Sequence, residues 1–281
     1  MKCKLVDVFS SQKLNGNSLT IFYDCDNLSS KKMLSLTQEM RQFESIFLFC
    51  KNGGFTARIF TLEEELDFAG HPLLGLAHHL HEEFGKEKKH DWEINLNKQT
   101  VKLTSVRESD KFTATMNQGS PEFIKTLSHK EASDLYSALN LEVTNQKDYP
   151  TEVVTTGLPY VILPVAGCLE KINFQVSDLS PLIEPLGAKF LYVLDVVSFE
   201  GRTWDNFGRV EDVATGSAAG PAAAYLYKHR LTKNHRLSIH QGRFVGRPSQ
   251  MFVELICDDS EITDIKVSGN IVKIADISFT S

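Results

Sequence analysis

The chain has 281 residues, 42% of them apolar and 23% charged, with a formal net charge of -6. Such proportions predict a soluble globular protein able to bury a sizeable core without metal or disulfide support. Lys and Arg number 30 against 36 Asp and Glu, which argues against a phosphate-binding face of the kind nucleic-acid recognition needs. Five cysteines (Cys3, Cys25, Cys50, Cys168, Cys257) are scattered, odd in number and without CxxC spacing. That pattern predicts reduced thiols in a cytoplasmic protein, not a disulfide frame or a structural zinc site. The opening apolar stretch is broken by Asp7, unlike a signal peptide, and no apolar run is long enough to cross a bilayer.

In chain order, alternating segments predict strands over residues 4–9 and 18–22, with Asn15-Gly16 as the hairpin turn between them. Ser29 or Ser30 caps a helix reaching about Met40. Strands over 45–49 and 55–60 follow, and then a helix from His71-Pro72 through Phe84. Proline suits its first turn, and Gly85 ends it. Strands over 92–96, 101–106 and 112–116 lead to a helix capped by Ser128 and running through Leu139. Strands over 153–155, 160–164 and 190–197 precede an alanine-rich helix from Ser217 to Lys228. Strands over 236–240, 251–256 and 265–272 complete the chain. Strands outnumber helices, which predicts an α+β protein with antiparallel sheet.

An internal repeat is the most informative pattern. Glu65 to Gly70-His71 and Glu211 to Gly216-Ser217 align at a fixed offset of 146, which also pairs Ala77 with Ala223 and Leu80 with Leu226. Upstream, Arg58-Ile59-Phe60 resembles Arg202-Thr203-Trp204. A strand, a loop ending in glycine and a helix thus occur twice, as a distant duplication into two similar halves would produce.

The opening N–H groups of a helix lack intrahelical partners and carry partial positive charge. If the halves face each other, two such helix starts would form a receptor for a carboxylate or a developing enolate in a cleft between them. His71 and Ser217 stand at those starts as a possible acid–base and a hydroxyl donor, although taken singly each reads as structural. Glu44 lies in the otherwise apolar run Phe43 to Phe49. On composition alone a solvent-facing carboxylate is favoured there; a buried one would have its pKa raised toward a value useful for proton abstraction from carbon. Glu211 and Asp212 read either as loop carboxylates near a helix start or as groups that polarise a partner such as His71. His78, His79 and His81 have no carboxylate beside them in a ligand pattern and read as helix-surface residues, not a metal site. Phosphate-loop, dinucleotide-binding and nucleophile-elbow motifs are missing.

Val6-Asp7-Val8-Phe9 with Gly16-Asn17, Glu44 in FESIF, Phe68 to Pro72, and Glu211 to Ala218 together resemble the PhzF-like family of phenazine-biosynthesis isomerases. Gln241-Gly242 followed by Gly246 to Ser249 resembles its C-terminal signature. The matches run from residue 6 to 249 in the family's order, with Val213 where the family usually has proline. The resemblance implies a diaminopimelate epimerase-like fold: two pseudosymmetric halves, each with mostly antiparallel sheet wrapped around a central helix. It places the halves at 1–117, completed by a C-terminal strand around 265–281, and at 118–264, with the active site in the cleft between them.

It further implies a cofactor-independent and metal-free isomerase, a homodimer, acting on a small carboxylate-bearing, cyclic substrate. Glu44 would carry the proton, and His71, Asp212 and Ser217 would bind and polarise the substrate. Gly70, Pro72, Gly216, Ala218 and Asn17 would line its site. Related epimerases carry a cysteine pair at the two helix starts, whereas this chain has His71 and Ser217. An amino-acid racemase or epimerase of the same fold, and a non-catalytic small-molecule-binding protein, are the alternatives.

Overall fold

The computed structural model describes residues 1–25, 27–51, 53–109, 111–143, 147–259 and 261–279. The chain divides into two compact units, residues 1–117 with 268–281, and residues 118–267.

In the first unit, β1 (Lys2–Val8) and β2 (Asn17–Tyr23) pair antiparallel. Their connection is longer than the two-residue turn expected at Asn15-Gly16. Val8 stands opposite Asn17, and Phe9, Leu14 and Gly16 all take positive φ on the way round. A Cβ on Gly16 would lie 2.4 Å from the Val8 carbonyl oxygen, so the loop closes on glycine. Asp7 holds the loop, accepting from the Leu14 N–H and the Ser18 hydroxyl at 2.7 Å each.

Helix α1 (Ser30–Met40) is capped by the Ser29 hydroxyl and is followed by β3 (Glu44–Lys51), β4 (Gly54–Thr61) and the two-residue β5 (Glu65–Leu66). Next come α2 (Gly70–Phe84), β6 (Lys89–Asn95), β7 (Thr100–Glu108) and β8 (Lys111–Gly119). The strand order β1-β2-β3-β4-β6-β7-β8 is completed by the last strand of the chain, which pairs with both β8 and β1 and so closes the sheet on itself. Most pairs are antiparallel; β2–β3 and β4–β6 are parallel.

Helix α2 packs against β1, β2, β3 and β7, and every residue from Gly70 to His81 is buried. A helix apolar around most of its circumference belongs inside a sheet, not on its surface. At Gly75 an added Cβ would meet the Leu19 side chain at 2.4 Å, a measure of how closely the helix lies on the strands. The other face of β2, β3 and β4 carries Phe22, Phe47 and Phe60, packed with Met33 and Leu36 of α1. Phe22 and Phe47 stack with ring centres 4.5 Å apart.

The second unit begins with β9 (Glu122–Thr126), α3 (His129–Ala138, with a Ser128–Glu131 capping box), β10 (Glu152–Thr155) and β11 (Pro159–Val165). It continues through the short α4 (Ser180–Ile183), β12 (Phe190–Asp195), β13 (Glu200–Thr203), α5 (Gly216–Lys228), β14 (Arg236–Gln241) and β15 (Ser249–Asp258). The final strand, β16 (Glu261–Ser278), starts in this unit and ends in the first. The order here is β9-β10-β11-β12-β13-β14-β15-β16, with α5 packed on β10, β11, β14 and β15. Alanines at 218, 219 and 222–224 are wholly buried, so the small side chains let α5 approach the sheet closely. The repeat positions Ala77, Leu80, Ala223 and Leu226 are all completely buried in their respective helices.

Candidate active site

Glu44 opens β3, in register with Leu19 of β2 and Thr61 of β4. Residues 44–48 of β3 are all buried, with both α1 and α2 packed against the strand, so the solvent-facing position favoured for Glu44 by composition is not the one it takes. The carboxylate is 7% exposed, and its Oε2 lies 3.1 Å from Nδ1 of His71 in the first turn of α2. His71 is equally buried, and its Nε2 has no hydrogen-bond partner among the described residues. Burial pushes its pKa from 6.5 down to about 3, so the imidazole is neutral at pH 7.

Ala69 precedes α2 in an extended conformation and makes no side-chain cap bond. Gly70 is tight against Met116, whose Cε would sit 3.3 Å from an added Cβ. Pro72 is buried beside it. Asn17 is buried at the first position of β2, opposite Val8.

In the second unit, the loop before α5 is held by a polar network. The Thr215 hydroxyl donates to Asp212 Oδ2 at 2.5 Å, and the Ala214 N–H approaches Oδ1 at 3.4 Å. Gln241, 1% exposed, donates to the Asp212 carbonyl and to Thr215 Oγ1, and accepts from the Thr215 N–H and the Tyr192 hydroxyl. Gly242 follows at φ +86°, where an added Cβ would lie 2.4 Å from the Arg247 oxygen and 2.5 Å from the Val213 oxygen.

Glu211 is fully engaged by Arg202, which also donates to the Leu169 carbonyl and stacks between Trp204 and Phe244. It is therefore a structural carboxylate, and Asp212 is the one left to the loop. Gly216, whose carbonyl accepts from Gln118 Nε2 at 2.9 Å, and Ala218 are buried at the start of α5. Ser217, half-buried between them, pairs with the Tyr160 hydroxyl at 2.7 Å.

The pairs brought together are thus Glu44 with His71, and Asp212 with Thr215 and Gln241. Sequence reasoning missed Tyr160, whose neighbours in sequence signal no site, and gave no role to Thr215, although it lies inside the Glu211–Ala218 motif. Gln241 was visible only as part of a C-terminal signature, without its role in holding the loop.

The three remaining α2 histidines are not surface residues. His78, His79 and His81 are 5%, 1% and 4% exposed, because α2 is enclosed by strands. His78 and His81 pack edge-on to Phe112, and His79 lies 4.4 Å from the Tyr23 ring. His81 bonds Ser105 Oγ at 2.7 Å and the Glu87 carbonyl at 3.0 Å. Among the described residues no group of three or more His, Cys, Asp or Glu is placed to hold a metal ion. No helix among them is long and apolar enough to cross a membrane.

Comparison with known proteins adds the lineage. Residues 6–276 match the family described as phenazine biosynthesis-like protein, PhzC-PhzF. The chain belongs to that family. Trans-2,3-dihydro-3-hydroxyanthranilate isomerase of Pseudomonas aeruginosa is 33% identical over 276 residues, covering 95% of this chain and 94% of the relative. A solved structure from Pseudomonas aeruginosa, described as a predicted epimerase, is 43% identical with a TM-score of 0.91, covering 100% of this chain and 99% of the other. A probable proline racemase from Agrobacterium radiobacter K84 shares the fold at 12% identity and a TM-score of 0.57, covering 99% of this chain and 92% of the other. The PhzF-family chain is accordingly an isomerase with a diaminopimelate epimerase-like α+β fold.

Proposed function

We propose that this PhzF-family protein is a cofactor-independent isomerase in which Glu44 moves a proton on a small, cyclic, carboxylate-bearing substrate. The observation that carries the reading is the buried Glu44 carboxylate 3.1 Å from a neutral His71 imidazole. A carboxylate withdrawn from water is a stronger base toward carbon acids than a solvated one. In the proposed step a substrate C–H bond breaks and its proton passes to Glu44. The electron pair spreads into the π system conjugated with the substrate, and Glu44 returns the proton to another carbon of that system. The formula is unchanged and no oxidant or reductant is consumed.

His71 Nε2 is the acceptor or polarising group beside the base. Asp212 and Ser217 are assigned to the same substrate, Asp212 as a hydrogen-bond acceptor and Ser217 as a donor. The N–H groups of Gly70 and His71, which no side chain caps at the start of α2, and that of Gly216 at the start of α5 suit a carboxylate or a developing enolate. Asn17 is a further polar group assigned to the site. The substrate class follows the relative named for trans-2,3-dihydro-3-hydroxyanthranilate, a ring that carries a carboxylate.

The test is mass-spectrometric deuterium uptake from D2O into that compound and a panel of cyclic and amino acids, with wild type beside Glu44→Gln. Glutamate-dependent uptake supports the reading, whereas equal uptake by the variant overturns it. The 43% identical structure described as a predicted epimerase favours one second reading, epimerisation. In that case deuterium enters at a stereocentre with inversion and without any shift of a double bond.

A further inference from the structure

We propose that Tyr160 is a positioning residue for Ser217: its phenol donates to Ser217 Oγ and leaves the serine's own proton to point at the substrate. This rests on the reading of Ser217 as a substrate-binding donor. The two hydroxyl oxygens are 2.7 Å apart, a full-strength O–H···O distance. Tyr160 is 2% exposed on β11, its ring set 6.0 Å from Phe190 and 6.5 Å, edge-on, from Tyr192. Both of those lie on β12, where Phe190 is its parallel register partner. The phenol is therefore held in place by its surroundings before any ligand arrives.

A serine hydroxyl has one proton and two acceptor lone pairs, so its usefulness depends on where that proton turns. A phenol is the more acidic of the two hydroxyls and the better donor. With Tyr160 donating, a lone pair of Ser217 is occupied, its O–H is polarised, and the proton turns outward. The Thr215 hydroxyl is committed to Asp212 and makes no cap bond to α5, so it does not compete for this role. The first unit has a parallel arrangement. There the residue in the first turn of α2, His71, takes its polar partner, Glu44, from a strand of its own sheet.

The experiment compares Tyr160→Phe, Ser217→Ala and the double variant in the full-length protein, by deuterium exchange into trans-2,3-dihydro-3-hydroxyanthranilate. The hydroxyl proton of Tyr160 is followed in parallel by proton NMR without substrate. Tyr160→Phe is expected to lower kcat about five- to tenfold with KM within about twofold. Ser217→Ala should lower it about a hundredfold, and the double variant should be no slower than Ser217→Ala alone. The NMR spectrum should hold a slowly exchanging hydroxyl resonance that is lost in both single variants. Unchanged kcat in Tyr160→Phe while Ser217→Ala is impaired overturns the proposal. Additive losses in the double variant, or no protected hydroxyl resonance in the wild type, overturn it as well. Unimpaired Ser217→Ala, or a wild type inert toward this probe, overturns instead the role or substrate assigned above, and the hydroxyl resonance then still decides whether Tyr160 donates.

Discussion

Arg202 grips Glu211 side-on, Nε to Oε1 at 2.8 Å and Nη2 to Oε2 at 2.6 Å. Arg58 holds Glu65 with the same pair of nitrogens, Nε to Oε1 at 2.7 Å and Nη2 to Oε2. The two glutamates stand at equivalent places in the repeat, each a few residues before the glycine that opens a central helix. Each clamp ties the loop leading into that helix to the preceding strand.

The clamps differ in burial, and so should their mutants. Glu211 and Arg202 are 9% and 11% exposed, against 23% for both members of the other pair. Glu211→Gln strands a guanidinium between Trp204 and Phe244 and should cost about 3–5 kcal/mol in urea unfolding. Glu65→Gln should cost about 1 kcal/mol, since water screens the partly exposed pair. Equal losses would show that burial is not what distinguishes them.

Glu44→Gln keeps the volume and most of the polarity of the side chain but cannot accept a proton from carbon. Turnover should fall by at least about 10³-fold, with circular dichroism and ligand affinity close to wild type. Activity within tenfold of wild type would remove Glu44 from the chemistry.

Buried histidines make stability depend on pH above the range where carboxylates titrate. Burial lowers His71 and His79 to about 3 and His78 to about 4, from 6.5. Below pH 6.5 the unfolded chain takes up protons that the folded chain refuses. Stability is therefore complete above that value and is lost progressively as pH falls toward 4 and 3. Urea midpoints at pH 7.5, 6 and 5 should decline, and His79→Phe should flatten the decline while keeping a ring against Tyr23. A midpoint independent of pH over that range would contradict the assignment.

Gly242→Ala forces a methyl group against two carbonyl oxygens at a positive φ. The chain must shift away from Val213, in the loop that carries Asp212 and Thr215. Activity should drop about tenfold or more, together with about 1–3 kcal/mol of stability. A crystal structure of the variant should show the 212–215 loop displaced. Gly246→Ala is the control: it also has positive φ, but nothing lies within 4 Å of an added Cβ.

Much of this was legible in the sequence. Ser29 and Ser128 cap helices that end at Met40 and Ala138, and both central helices begin within one residue of their expected starts. Alternation found most of the strands. It missed β9, whose residues are at best half-buried, and β5 and β13, which are too short to show a period. The burial of Glu44 and of the α2 histidines was misjudged for one reason. A residue's own segment tells which face it occupies, but not that another element covers that face. The run Leu73-Leu74, Leu76-Ala77, Leu80 already fills more than one side of α2 and was the available signal. Tyr160 was invisible as a site residue, since a tyrosine in an apolar strand reads as core.

Strand β16 crosses from the second unit back into the first at residues 267–268, and its last residues pair with β1, Ser278 opposite Lys2. During synthesis, then, the first unit waits until residue 278 has been made. Until those residues leave the ribosome, β1 and β8 each present an open edge with unpaired backbone groups, a template for pairing with another chain. Closing the ring joins positions almost 280 residues apart in sequence, a slow step by loop-closure entropy. Termination at residue 269 would leave the Glu44–His71 unit as an unsealed sheet, and such fragments belong in the aggregate, not the supernatant.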